Sequence, residues 1–379
     1  MTSPDSDALR RRLIDSLAEG GYFRAEWLRL VFERVPRERF APDTVWTWSD
    51  RRWRPLNRRE DPERWAGLVY HATEPLITQV DDGGPAEDGT GSRATSSMSS
   101  AEVVLNMLAS LDPQPGHSVL ELGTGTGYNA ALLCERVGAD RVVTVEIDPV
   151  LTDLAGKRLK AAGNQPLVVC GNGEAGYPDR APYDRLISTA SVRRVPPAWL
   201  RQVKAGGEIV VPWLPNARGF GLIWLRMRED GSARGWFHGR EAFMPVRGQR
   251  YGRTADLGDV WDATYRDAEV TQGDSGLADL SSGDARFALS VLLPGVEAVA
   301  QADGWFLMTA DQTSWASAVG DRLYRYGQRD LFAEAGRVLS WWRDQDRPTL
   351  YEFGITVTGE EQLVWLRDEK HILHRTGPA

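Results

Sequence analysis

The chain has 379 residues and a mass of 42.1 kDa, enough for two ordinary domains, and its 42% hydrophobic and 26% charged residues are those of a globular protein, not a disordered, collagenous or membrane-embedded one. A formal charge of −8 and a pI near 5.4 argue against general affinity for nucleic acid or an anionic membrane, leaving local basic patches as the only polyanion sites. Cys134 and Cys170 stand in no zinc-ligand spacing with the histidines, which predicts reduced thiols and a cytoplasmic location, and the polar start Met1-Thr-Ser-Pro-Asp predicts neither a signal peptide nor a membrane span.

Residues 7 to 40 read as two helices. Leu9, Leu13 and Leu17 recur at helical spacing, Gly20-Gly21 breaks the run, and Trp27 to Phe32 resumes it before Pro36. Residues 46 to 66 mix tryptophans with Arg51, Arg52, Arg54, Arg58 and Arg59, show no clear period and are expected to be loop. Those arginines could bind carboxylates of a peptide, although a solvated face is the commoner meaning of such a run. Asp81 to Ser100 is rich in Gly, Asp, Ser and Thr and reads as a mobile or ligand-ordered loop, followed by a helix from Ala101 to Leu111.

A strand–helix alternation then begins. Strands are expected at Ser118–Leu122, Arg141–Ile147, Leu167–Cys170, Arg185–Thr189 and Glu208–Pro212, and helices at Tyr128–Val137 and Pro149–Ala162. This is the pattern of an α/β, Rossmann-like doubly wound, mostly parallel sheet. Leu222–Met227 and Ala233–Phe237 read as a terminal hairpin. The expected organisation is a lead-in over 1–80, a core over 81–248, and an α+β domain over 249–379 with a helix from Gln328 to Asp344 and strands at Tyr351–Thr358 and Gln362–Leu366.

The segment with chemical content is Val119-Leu120-Glu121-Leu122-Gly123-Thr124-Gly125-Thr126-Gly127-Tyr128-Asn129, a strand running through a glycine turn into a helix. Glycines there allow a tight turn and close approach to a nucleotide-like ligand, and Glu146, ending the next strand with Ile147 after it, is placed to accept both ribose hydroxyls. A dinucleotide site would want a third glycine at position 128, where Tyr128 stands. An acid two residues before the first glycine suits an ammonium rather than a pyrophosphate, so S-adenosylmethionine fits better, with Glu121 on its amino-acid tail. The bland alternative is a tight turn with a solvated acid at a strand end. Asn172-Gly173 either sets an amide beside the adenine edge or forms an ordinary Asn-Gly turn.

Residues 10 to 225 resemble the protein-L-isoaspartate O-methyltransferase family. The resemblance rests on Val35-Pro36-Arg37-Glu38-Arg39-Phe40-Ala41-Pro42, the Ser/Thr segment before a helix and Pro115-Gly116, the glycine motif, Val145-Glu146-Ile147-Asp148 and Ala205-Gly206-Gly207. It implies a class I methyltransferase fold and a carboxyl substrate. In that family a serine in a Thr-Ile-Ser-Ala-Pro-His segment lies beside the reacting carboxylate. Gapless counting from Pro115-Gly116 puts Ser99 at that serine, Ser97 at the threonine and Glu102 at the histidine, and Asn172 where an aspartate is usual.

The serine-rich segment and the tail, from Arg347-Pro348 through Phe353–Thr358 to Val364-Trp365-Leu366, are similar to homologues from actinobacterial graspetide and lanthipeptide clusters. That likeness implies esterification of an aspartate in a ribosomally made, already macrocyclised precursor peptide with an acidic core, followed by aspartimide formation, and it treats the last 130 or so residues as foreign to the repair enzymes, with peptide binding as the expected role of the 249–379 domain. The rival readings are a repair methyltransferase of broad isoaspartyl range and a catalytically silent binding subunit. An ionised carboxylate needs no strong base, so Ser97 and Ser99 are expected to act as donors that hold it.

Overall fold

The computed structural model describes residues 6–216, 219–250, 257–359 and 361–377, so Met1–Asp5, where the absence of a signal peptide was read, lies outside the described residues. The chain forms two compact units. The first comprises Met1–Ala190 with Ala198–Val210, and the second Ser191–Pro197 with Val211–Ala379.

The first unit opens with α1 (Ser6–Glu19) and α2 (Glu26–Arg34), whose helically spaced Leu13, Leu17, Leu28, Val31 and Phe32 are buried. Next come β1 (Thr44–Ser49), β2 (Arg52–Asn57) and α3 (Pro62–Val69), which correct the loop expected over 46–66. The hairpin turns on Asp50 and Arg51, both left-handed, and sets Val45 opposite Leu56 and Trp48 opposite Trp53. Interspersed arginines hide this alternation in the sequence. Arg54 pairs with Asp50 and Arg58 lies 4.5 Å from the centre of the Trp65 ring, consistent with a solvated face.

With β3 (Leu76–Val80) and β4 (Ala94–Met98) these strands make an antiparallel sheet of order β2-β1-β3-β4. β4 corrects the last part of the loop expected over 81–100, while residues 84–93 are irregular as expected. Its small hydroxylated residues have loop composition, but pairing of Leu76 with Met98 and Ile77 with Ser97 fixes them on an apolar neighbour.

α4 (Ala101–Leu111) starts at Ser100, whose Oγ accepts from the Val103 N–H. The alternating part follows: β5 (Val119–Leu122), α5 (Tyr128–Val137), β6 (Val142–Glu146), α6 (Pro149–Ala161), β7 (Leu167–Cys170), β8 (Tyr183–Ser188), α7 (Pro197–Gln202) and β9 (Val203–Trp213). In this unit these strands are parallel in the order β9-β8-β5-β6-β7. The chain winds outward from β5 to β7, then restarts on the other side of β5 with β8. The strand order therefore reverses between β5 and β8, where a ligand crevice opens at the carboxyl ends of such sheets. No helix among the described residues is long and apolar enough to cross a membrane.

The second unit holds β10 (Gly221–Met227), β11 (Ala233–Gly239), α8 (Leu257–Thr264), β12 (Glu269–Gln272), α9 (Gly283–Leu292), β13 (Val296–Gln301), β14 (Gly304–Thr309), β15 (Trp315–Val319), β16 (Arg322–Tyr326), α10 (Leu331–Asp344), β17 (Phe353–Val357), β18 (Gln362–Leu366) and β19 (Ile372–Thr376). Its antiparallel strands run in the orders β10-β11-β17-β18-β19 and β12-β16-β15-β14-β13. The boundary expected at 248 is corrected. β11 pairs with β17 from Ala233↔Val357 to Trp236↔Gly354, so the hairpin read as terminal belongs with the tail.

In the first unit Asp184, at the start of β8, accepts from Ser118 N and Oγ, both at 2.9 Å, and pairs with Lys204. Partial burial opposes its ionisation, but Lys204 and Ser118 prevail and hold its carboxyl down at about 2. Because the folded value lies below the ordinary one, this stabilisation is present above about pH 4 and is lost as pH falls through about 2. Asp184→Ala is expected to lower the thermal midpoint at pH 7 by an amount equivalent to about 1.5–3 kcal/mol, with the gap to the native protein closing in acid melts.

Candidate active site

Between β5 and α5 the chain turns on Gly123, Gly125 and Gly127 at φ 94, 54 and 88°. These left-handed angles suit glycine and strain other residues. Space is also short. A Cβ would stand 2.6 Å from Thr189 Oγ1 at Gly123, 3.1 Å from Leu159 Cγ at Gly127, and at Gly125 3.5 Å from the Ser97 carbonyl oxygen and 3.7 Å from Ser96 Oγ. The serine strand β4 therefore lies against the glycine turn. Thr189, just past β8, donates its hydroxyl to the Gly123 and Leu122 carbonyls and fixes the turn at the point where the strand order reverses.

Beneath the turn, Glu121 is wholly buried. Its Oε1 accepts from Asn129 Nδ2 at 2.7 Å and its Oε2 from Thr144 Oγ1 at 2.5 Å, and Thr124 Oγ1 lies 2.6 Å from Thr144 Oγ1. The ammonium-facing role expected for Glu121 is thus replaced by a positioning one, since both oxygens brace the turn from inside. Thr124 and Asn129 belong to that brace rather than to an outward-facing set. Thr126 is buried, and Tyr128 is buried with its ring edge-on to Phe40.

Glu146 ends β6 with Oε2 accepting from the Gly125 N–H at 2.9 Å and Oε1 from Asp148 N at 3.1 Å. Burial pushes its carboxyl upward despite these bonds. Ile147 beside it is an exposed apolar residue. Asn172, past β7, accepts from Glu174 N through Oδ1 as in an Asn-Gly turn, and its Nδ2 has no partner among the described residues. The Gly173 carbonyl accepts from Trp199 Nε1 at 2.8 Å. A glycine cradle that a Cβ would fill, an acid at the second strand end and an exposed apolar side chain next to it fit the tail, ribose and base of S-adenosylmethionine.

Ser97 lies in β4 and Ser99 just beyond it. Both are half-buried, and neither hydroxyl has a partner among the described residues. Two supports were missed by reading the sequence. Arg37 is buried, donating from Nε to the Val69 carbonyl at 3.1 Å and from Nη2 to the Ser99 carbonyl at 2.9 Å, and its guanidinium carbon sits 4.9 Å from the Tyr128 ring centre. Gln79 of β3 donates to Asp148 Oδ2 at 3.1 Å and accepts from Thr95 Oγ1 at 3.0 Å. The Val-Pro-Arg element was the available signal for the first; nothing local marks the second.

Burial lifts the Glu121 carboxyl from its ordinary 4.5 to about 7, against the pull of Thr144 and Asn129. With the folded value raised, its contribution to stability is full below about pH 4.5 and is lost as pH rises through about 7. Glu121→Gln keeps an acceptor for Asn129. Relative to this variant the native protein is expected to lose thermal midpoint between pH 5 and pH 8, and parallel midpoints would show that Glu121 does not titrate there.

A family model described as Protein-L-isoaspartate(D-aspartate) O-methyltransferase (PCMT) matches residues 88–250. The chain is 36% identical over 244 residues to a protein-L-isoaspartate O-methyltransferase of Methanopyrus kandleri, covering 63% of this chain and 92% of that protein. It is 32% identical over 256 residues to the Thermococcus onnurineus protein of the same name, covering 66% and 98%. A solved protein-L-isoaspartate O-methyltransferase shares the fold at a TM-score of 0.52 and 19% identity, aligned over 92% of this chain and 96% of its own. That structure shares the fold over most of the last 130 or so residues as well, whereas the two curated relatives, nearly complete in the match, cover 63% and 66% of this chain. The chain belongs to the protein-L-isoaspartate O-methyltransferase family, whose members esterify carboxylates with a methyl group from S-adenosylmethionine.

Proposed function

We propose that the protein methylates the free carboxylate of L-isoaspartyl residues in damaged proteins, the first step of their return to ordinary aspartyl linkages. The observation that carries this reading is the apposition of β4 to the glycine turn, with a Gly125 Cβ position 3.5 Å from the Ser97 carbonyl and two uncommitted serine hydroxyls on the same short segment. S-adenosylmethionine supplies, when bound, a methyl group on a positive sulfur. The substrate carboxylate is ionised at neutral pH, so this chain need not remove a proton from it. Ser97 and Ser99 donate hydrogen bonds to its oxygens and hold one lone pair in line, while Glu146 and the turn fix the donor. Arg37 keeps the Ser99 backbone in place. A cytoplasmic location suits the two unpaired cysteines.

A second reading, maturation of a ribosomally made acidic peptide through an aspartyl ester and aspartimide, draws on one feature. Ser97-Met98-Ser99-Ser100-Ala101-Glu102 stands where the resembled pattern has Thr-Ile-Ser-Ala-Pro-His. The helix start survives without the proline because Ser100 caps it. The names of the curated relatives favour the isoaspartyl reading.

Transfer of a labelled methyl group to a short isoaspartyl peptide, compared with its aspartyl twin and with a macrocyclic aspartate peptide, separates the two. Turnover confined to the isoaspartyl peptide is expected, whereas ester formation and loss of methanol on the macrocycle alone would install the second reading. Ser99→Ala should lower kcat by roughly tenfold or more and Ser97→Ala by less, each leaving calorimetric affinity for S-adenosylhomocysteine within about twofold. Unchanged turnover in Ser99→Ala would remove that hydroxyl from the site.

A further inference from the structure

The β10–β11 hairpin of the second unit has two unlike faces. Ile223, Leu225, Met227, Ala233 and Phe237 point into the core, where Phe237 meets Phe287 and Trp213. The alternate residues set Trp224 opposite Trp236 and Arg226 opposite Arg234, with Arg228 beyond. Trp236 stands edge-on to Trp365 at 4.4 Å, and the Arg234 guanidinium carbon lies 5.0 Å from the Trp365 ring centre. A groove runs among Trp224, Arg226, Arg228, Arg234 and Trp236.

Directly opposed like charges weaken a strand pair, so Arg226 against Arg234 works against the hairpin. The counter-charge is thin. Glu369 serves both Arg228 at 2.9 Å and Arg234 at 3.4 Å while also accepting from Thr356. Asp230, in the hairpin turn, is taken by Ser232 N and Oγ. Arg226 is exposed and has no partner among the described residues. In a chain of net charge −8, three guanidiniums and two indoles are thus gathered on one strand-pair face with one carboxylate among them.

We infer that this face docks an acidic stretch of the polypeptide substrate, with carboxylates on Arg226, Arg228 and Arg234 and neighbouring apolar side chains on Trp224 and Trp236. Guanidinium forks match carboxylates in pairs, and indoles give broad apolar contact to whatever lies beside them. A long polyanion is disfavoured by the charge of the whole chain. The inference rests on the protein-substrate reading above and adds to it the local charge of the substrates preferred.

The test uses the full-length protein without methyl donor and follows the anisotropy of a fluorescein-labelled peptide of alternating Asp and Tyr, beside its Asn and Tyr counterpart. The Asp peptide should bind about tenfold tighter at low salt, and Arg226→Glu should remove that preference. Arg226→Glu puts a carboxylate opposite Arg234, which favours the hairpin, and Arg226→Gln is a second variant, the fold of both being checked by thermal melting. Trp224→Ala should weaken both peptides. Equal affinity for the two peptides, undiminished binding in both Arg226 variants, or tighter binding of a single-stranded oligouridylate would overturn the inference. Because no methyl donor is present, binding of the Asp peptide by a protein that methylates nothing would sustain the face while removing the methyl-transfer reading.

Discussion

Three left-handed glycines in alternate positions require a backbone path that the rest of the first unit is arranged to hold. Such a path exposes peptide groups that a regular helix or strand would pair, and each needs a partner of its own. Thr189 takes the Gly123 carbonyl, Glu146 takes the Gly125 N–H, and the Gly127 N–H returns to the Thr124 carbonyl. The partners come from the ends of β8 and β6, the two strands flanking β5, so the turn is pinned from both sides. Glu121 closes the arrangement from below. A buried carboxyl is tolerable there because neither oxygen lacks a donor, and its elevated protonation range reflects the desolvation that remains.

The serine segment proposed to meet the substrate is tied to the same frame. Ser97 and Ser99 sit on or beside an edge strand whose own pairing is confined to β3, which alone would leave them loosely defined. Arg37 supplies the missing restraint at the Ser99 carbonyl, and Gln79 links Thr95 of β4 with Asp148, the residue that caps α6 two positions after Glu146. Displacement of the serine segment would therefore be felt two residues from Glu146. Positioning of a nucleophile that is already ionised depends on such restraints more than on any acid or base.

The parallel sheet and its glycine turn were legible because parallel strands buried on both faces read as apolar runs, and because positive φ selects glycine so strongly that the residue type reports the backbone angle. Ser97 and Ser99 are singled out only by the resemblance, since a serine in a strand and a serine in a linker look alike. The hairpin of β1 and β2 was hidden by the arginines of its exposed positions, although Thr44-Val45-Trp46 is good strand material. The braces were not legible at all. That Glu121 turns inward to Asn129 and Thr144, or that Gln79 meets Asp148, depends on pairings distant in the sequence that no periodicity records. The domain boundary failed for a related reason, because β11 takes its next neighbour from strand β17, more than a hundred residues later.

Arg37 joins two carbonyls, of Val69 and Ser99, and all three residues precede β5 in the chain. During vectorial synthesis, this clasp has every covalent part it needs before the first residue of the glycine turn leaves the ribosome. Its aromatic cover arrives last, with Tyr128. In translation order, the clasped serine segment therefore precedes the glycine turn it lies against.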